Sequence, residues 1–428
     1  MKLNMKMTLI ACTILTIIGG FTRCNGDGLN DNGSSTVKNE GEPTYMTLNL
    51  SVPESYQLRA DNDTSKESTL ESIDVFIYNG SADYDYYISH SRFNNPVRNA
   101  NGYTIQNIPT STGDKRVFVL ANFTETKAKE LEYKNANRLN KDAYTLLISD
   151  LVANSKVIAM TSTKVESATF TSNVESNRVS STLKRVIAKV TVQEDDNIDK
   201  TSVTGLGTLN NLKWTIDNYN NKSFLLQDAD KKDPNWDTYT ASDFSRWREA
   251  DWADVKAARS NNLLYRQYAQ ENTSRDQREK ELTRVLLRAQ FTPAQALNKV
   301  GANWVYQTNY NTGTFWVVIV RKDLPEMAFF NNSTSASSFA NETANASSPI
   351  EYTDGYCYWD LFLHNGNYDW GVLRNIYYKC VIKSILFLGR HTPDVSKPEE
   401  KPDIPTNISA EVTVQEWERV ELGVDLEP

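Results

Sequence analysis

Period-two alternation of apolar and polar residues recurs along this chain, and it restricts the fold more than any other feature. TYMTLNLSV (Thr44–Val52) sets Met46, Leu48, Leu50 and Val52 on one side and Tyr45, Thr47, Asn49 and Ser51 on the other. That is the pattern of a strand with one face in a core. SIDVFIYNG (Ser72–Gly80) ends in an Asn-Gly turn signal. DKRVFVLANF, KVIAMTST and SATFTSN read as further strands of a first series. STLKRVIAKVTVQ (Ser181–Gln193) opens a second, with Val186, Ala188, Val190 and Val192 on its apolar face. VLLRAQF, NWVYQTN, GTFWVVIVRK, YCYWDLFLHN and YYKCVIKSILFLG continue it. Thr124–Ser149 and the charged stretch SRWREADWADVKAARSNNLLYRQYAQ read as helical. The predicted class is all-β with a few helices. The absence of a fixed-period repeat argues against a solenoid or propeller.

The two ends raise a different question. The start, MKLNMKMTLIACTILTIIGGFTRCNGDG, has Lys2 and Lys6 before an apolar run from Thr8 to Ile18. That run is too short and too early for a membrane span and reads as an export signal over residues 1–23. Cys24 stands where a lipidated cysteine would, although Arg23 occupies a place that lipidation normally gives to a small residue. The alternative is ordinary cleavage nearby, with Cys24 incidental. A polar linker follows, unable to bury anything. At the other end a spacer with Pro398, Pro402 and Pro405 leads into AEVTVQEW, another alternating run. Val412 and Val414 share one face by parity, and Trp417 lies on the other unless a bulge intervenes. Residues 392–407 have charges, prolines and no apolar period, as an extended tether would. Cys357 and Cys380 flank the turn-rich HNGNYDWGVLRN. If that is a hairpin they face each other and can form a disulfide; otherwise they are two buried free thiols.

The residues offer little to chemistry. The net charge is −8 and basic residues are dispersed, which argues against a nucleic-acid partner. His90, His364 and His391 lack metal-ligand spacing. Glu249, Asp251 and Asp254 fit a solvated helix face better than an acid–base pair. EDDNID (Glu194–Asp199) lacks the ligand spacing and glycine of a calcium loop. There is no nucleophile elbow, P-loop or dinucleotide fingerprint. The expectation is a protein that is not an enzyme, with no cofactor and no metal. The nine tryptophans leave a sugar platform open, although a core or interface role is commoner.

These pieces, in this order, resemble the fimbrillins of Bacteroidales, structural subunits of type V pili, most of all the major subunit of the short fimbria. The lipoprotein-like start, TYMTLNLSV, LRAD, IDVFIYNG, KRVFVLANF, IAMTST, LKRVIAKVTV, YYKCVIKSILFLG and AEVTVQEWERV carry the resemblance. Residues 230–350 carry no motif that matches, and Arg23 departs from the pattern. The resemblance implies two transthyretin-like β-sandwich domains in tandem plus a C-terminal donor strand. The expected organisation is a signal over 1–23, a lipidated propeptide with a removable strand over 24–59, a sandwich over 60–178, a second sandwich with a helical insertion over 179–391, and a linker with donor strand over 392–428. It implies lipidation at Cys24, cutting between Arg59 and Ala60 by an arginine-specific extracellular protease, and donor anchors at Val412, Val414 and Trp417. Its partners would be copies of itself, anchor and tip subunits, and the outer membrane through the lipid before cutting. Its place would be a fimbrium on the cell surface, supporting adhesion and biofilm formation. The competing readings are a tip or anchor subunit, and a monomeric surface glycan-binding lipoprotein.

Overall fold

The computed structural model describes residues 41–52, 67–80, 86–100, 102–152, 157–257, 266–308, 311, 313–321, 326–366, 369–403 and 408–417. Cys24, Arg59 and Ala60 lie outside the described residues. Among the described residues, fifteen strands build the two main cores. In the first half they are β1 (Pro43–Ser51), β2 (Ser72–Asn79), β3 (Tyr86–Asn94), β4 (Gly102–Ser111), β5 (Gly113–Ala121), β6 (Met160–Ser162), β7 (Glu166–Phe170) and β8 (Arg178–Arg185). In the second they are β9 (Ile187–Asp199), β10 (Gly207–Asp217), β11 (Arg266–Gln270), β12 (Arg284–Pro293), β13 (Tyr356–Phe362), β14 (Ile376–Ile385) and β15 (Ile408–Glu416). The chain is mainly β, as the alternation predicts.

The first eight strands form one continuous ladder in the order β3-β2-β5-β6-β8-β1-β4, with β7 on β5. It folds over a core in which Met46, Leu48 and Leu50 of β1 meet Ile73, Val75 and Ile77 of β2, Val117 and Val119 of β5 and Leu183 of β8. The other face of β2, with Phe76 and Tyr78, packs under Leu131, Leu139, Leu146 and Leu151. Burial on both faces explains why SIDVFIYN is apolar almost throughout instead of alternating. The stretch read as helix over 124–149 holds only short turns, Glu125–Lys129 and Ala136–Arg138; Leu131, Leu139 and Leu146 follow them in the chain, and Leu151 closes the short helix Ile148–Leu151.

Two sheets enclose the second core. One carries β11 antiparallel to β9, β14 parallel to β9 and β15 antiparallel to β14. The other is β10-β12-β13. Val190 and Val192, Trp214 and Ile216, Val285 and Leu287, and Trp359 and Leu361 fill the space between them. The run STLKRVIAKVTVQ is two strands: β8 ends in the first ladder and β9 starts in the second, with Val186 between them. A third cluster spans both halves, joining Phe76, Phe118 and Leu120 to Ile187, Tyr377 and Trp417. The described residues accordingly fall in one compact unit.

Two readings are corrected. The described part of the stretch 245–270 is not an α-helix. It is a 3-10 turn at Glu249–Asp251, short strand pairings and β11. The Trp247 and Trp252 rings pack edge to face at 5.2 Å, and the Arg288 guanidinium lies 4.2 Å over Trp252. Aromatic packing of this kind against sheet residues overrides a weak helix propensity. The helix of the second half lies instead at Ser333–Glu342, started by Asn332, whose Oδ1 accepts from Ser335 N. It packs with Leu297, Val318 and Phe330 in a small cluster of its own. The second correction concerns the cysteines. Cys357 lies on β13 and Cys380 on β14, strands of different sheets, so the hairpin that would oppose them does not form. Both are buried free thiols, and burial pushes the Cys380 thiol up to about 12 and that of Cys357 higher still.

His90 on β3 is held between two carboxylates. Nε2 faces Asp74 Oδ1 at 2.8 Å and Nδ1 faces Glu132 Oε1 at 2.9 Å, while the ring stacks on Phe76 at 4.5 Å. Only the doubly protonated ring donates to both. The hydrogen bond to Asp74, partly opposed by burial, raises the His90 pKa above its usual value. A raised pKa stabilises the fold most fully below the unfolded value of about 6.5, and that contribution is lost as pH rises through the folded pKa. The wild type is therefore expected to melt above His90→Gln at acidic pH, with the gap closing as pH rises. Thermal melts of both proteins across pH check this.

Candidate functional site

Two segments stand apart from ordinary sheet architecture, the first strand and the last. Strand β1 is interior to its sheet. Leu48 pairs with Val179 on parallel β8 and with Ile105 on antiparallel β4, so both edges of the strand are hydrogen-bonded. Met46, Leu48 and Leu50 are buried. A bulge near Asn107, at φ 58, adjusts β4 between its pairings with Met46 and Leu48. Gly102 sits so close to β1 that a Cβ there would stand 2.1 Å from the Leu50 carbonyl oxygen. Asn177 closes the upper end, donating from Nδ2 to the Tyr45 carbonyl at 3.0 Å. Taking β1 out would leave a slot between β8 and β4 with unpaired backbone on both walls and an apolar floor.

Strand β15 has the opposite character. It pairs with β14 alone and forms the edge of its sheet. Ala410, Val412 and Val414 are half-buried against the second core. Trp417 reaches the third cluster and is 1 % exposed. The parity expectation therefore holds: the two valines and the tryptophan serve different faces. The expected free tether is docked through Asp403. Glu279 N donates to the Glu400 carbonyl at 2.8 Å, and Arg284 donates to the Pro393 carbonyl at 2.6 Å. Lys280 pairs with Glu399 at 2.6 Å.

A buried charged cluster surrounds Trp417. The Glu67 carboxylate accepts from Lys189 Nζ, Tyr268 Oη and Trp417 Nε1, each at 3.1 Å, and is ion-paired at 3.1 Å with Arg266 Nε, which donates to Tyr268 Oη at 2.9 Å. Arg185 donates to the Glu67 carbonyl at 3.1 Å, to Ser68 Oγ at 2.9 Å and to the Trp417 carbonyl at 2.6 Å. Its guanidinium lies 4.5 Å over the indole, and Tyr268 stacks on the indole at 5.9 Å. Burial, and then the Glu67 charge, push the Tyr268 hydroxyl pKa up, which keeps it a donor. Sequence reasoning missed this cluster. Its signal was present: Arg185 and Lys189 share one face of a run otherwise dominated by apolar residues, and two buried cations require a counter-charge. That counter-charge comes from Glu67, far away in sequence and in no pattern.

The described residues hold no group of three or more His, Cys, Asp or Glu placed to bind a metal. No helix among them is long and apolar enough to cross a membrane. What the arrangement offers is backbone edges and apolar pockets, the chemistry of strand recognition.

Comparison with known proteins agrees with this geometry. A family model described as major fimbrial subunit protein (FimA) matches residues 44–211. Another, described as major fimbrial subunit protein type IV, fimbrillin, C-terminal, matches residues 350–421. Together they span more than half of the chain. Among solved structures, a putative cell adhesion protein from Parabacteroides distasonis is 16% identical, covering 89% of this chain and 98% of its own, with a TM-score of 0.51. A fimbrilin from Porphyromonas gingivalis is 13% identical, covering 88% and 98%, also at 0.51. At such identities the likeness is one of fold. No curated protein matches the chain.

The burial of β1 predicts its contribution. Leu48→Ala in the full chain is expected to cost about 2–5 kcal/mol, the range for a buried leucine that leaves a cavity. Tyr45→Ala, on the exposed side of the same strand, should stay within about 0.5 kcal/mol. Urea unfolding of the two variants measures the difference.

Proposed function

Given that the chain belongs to the fimbrillin family of major fimbrial subunit proteins, we propose that it builds the stalk of a surface fimbria by exchanging strands with copies of itself. It is exported as a lipoprotein attached through Cys24 and held at the outer membrane. An arginine-specific protease cuts between Arg59 and Ala60. Strand β1 then has no covalent tie to the body and leaves. The C-terminal strand of a second copy enters between β8 and β4. Anchor and tip subunits complete the fibre, which serves adhesion and biofilm formation.

The observation that carries this reading is the interior position of β1. A strand paired on both sides cannot leave without exposing two ladders and a core, and an incoming strand restores all three. The candidate donor matches in length, since β1 and β15 are each nine residues long. It also matches in pattern: Ile408, Ala410, Val412 and Val414 repeat the two-residue spacing of Met46, Leu48 and Leu50. Donation from the end of one chain to the start of another is heterologous and does not close, so it yields a filament. Until the cut, β1 fills its own slot, and growth waits for the surface. The docking of residues 393–403 limits the donor's reach. From Asp403 to Ile408 the chain spans at most roughly 18 Å, so neighbouring bodies in the fibre must lie close.

Two variants test the scheme. Arg59→Ala should block both maturation and fibre formation; fibres that still form, with a new N-terminus elsewhere, would remove Arg59 from its role. A chain lacking residues 408–428 should melt lower, because Trp417 fills its own body, yet still accept a strand. Added to full-length protein during proteolysis, it should shorten the filaments seen by electron microscopy. Unchanged filament length would count against β15 as donor.

A further inference from the structure

Strand β15 is pinned at its two ends. Among its described side chains and that of Trp417, only Ile408 and Trp417 are buried, at 2 % and 1 % exposure. Between them Ala410, Val412 and Val414 are half-buried, and one edge of the strand is unpaired. Release of the strand from its own body must undo its ladder on β14, the Ile408 end and the Trp417 end, and the charged cluster lies at the last of these.

We propose that Trp417 is a latch that holds β15 on its own sheet and is built to open, so that the Glu67–Arg185 cluster governs how readily the strand becomes available to a second copy of this chain. The proposal rests on the strand-exchange reading above. Its argument comes from sorting the contacts by what leaves with the tryptophan. What Trp417 itself withdraws from the cluster is neutral: the indole N–H, the ring and the carbonyl. Glu67 keeps Lys189, Arg266 and Tyr268. Arg185 keeps the Glu67 carbonyl and Ser68 Oγ. Among the described residues no buried charge is orphaned, and the surface Lys383, which loses Glu411 of β15, keeps Asp195. Had the tail supplied one of the ions, its departure would strand an unpaired buried charge, among the costliest events in a protein interior. The contacts are nonetheless directional and charge-assisted, so they hold the tail in one register. The remaining tie is the Trp417 amide on the Asn375 carbonyl at 3.0 Å, an ordinary ladder bond.

Water has a way to the cluster. An open cavity of about 650 Å³ is lined by Leu147, Tyr219, Arg246 and Arg248 and by the cluster's own Arg266 and Tyr268. Solvent there can hydrate the socket as the indole withdraws. Glu67 also belongs to the first segment described after the candidate cut site, so the latch ties the tail to the stretch that follows the cut. Loosening of Glu67 and Ser68 after proteolysis would weaken the hold on Trp417, and one event would open the acceptor slot and free the donor in the same molecule.

Hydrogen exchange read by mass spectrometry on the full-length, uncut protein tests the latch without requiring assembly. Trp417→Phe keeps most of the ring and removes the N–H bond to Glu67; amides of 408–416 should exchange on the order of tenfold faster, the cost of one charge-assisted bond. Trp417→Ala should exceed that. Amides of β1 should keep their wild-type protection in both. Unchanged exchange at 408–416 in both variants would overturn the latch. So would loss of β1 protection together with that of β15, since Trp417 would then be a core residue of the whole chain. Filament growth after proteolysis is scored separately. Faster exchange with filaments absent even in wild type would leave the latch standing and remove the strand-exchange reading.

Discussion

The ladder that β1 makes on both sides is the contact on which the rest of the first half depends. It joins β8 to β4 and closes a sheet that would otherwise end in two open edges. Its three buried side chains, Met46, Leu48 and Leu50, floor the first core. Where an interior strand has covalent continuity on both sides, the chain itself keeps it in place. Here the first described strand occupies an interior position, so a single cut beyond it is enough to make the sheet's continuity non-covalent. The physics of a replaceable strand follows from that one placement.

Polar interiors set a second constraint. Glu67, Arg185, Lys189 and Arg266 form a buried set with one carboxylate and three cations, to which Tyr268, Ser68 and Trp417 add neutral hydrogen-bonding groups. Another buried pair, Arg374 with Glu271, ties β14's approach to β11's exit at 2.9 Å. Such pairs add little net stability once desolvation is counted, but breaking them from one side is costly. They fix which strands meet and in which register. Trp417 is a neutral guest among fixed charges, which lets the tail be held specifically there and still be let go.

Much of this was legible in the sequence where burial is one-sided. The alternation of TYMTLNLSV located β1 to within a residue at each end, because one face is buried and the other is not. The parity of Val412, Val414 and Trp417 located their faces for the same reason. Legibility failed where burial is two-sided or partners are distant. LKRVIAKVTV conceals a change of sheet at Val186, because Val186, Ile187 and Ala188 are all buried and the period is lost. SRWREADWADV mimics a charged helix, although its aromatics pack among sheet residues. The cysteine pairing rested on a hairpin that local sequence suggested and the sheet order excludes. The Glu67 cluster is invisible to any local reading, since its members come from four separate stretches of chain.

A map of the processed filament by electron cryo-microscopy tests the central claim most directly. The account predicts that the slot between β8 and β4 holds a strand traceable to residues 408–416 of a neighbouring subunit, with residues 43–51 of the subunit's own chain gone. A slot still filled by its own residues 43–51, or a β15 that remains on its own β14 throughout the fibre, would contradict it.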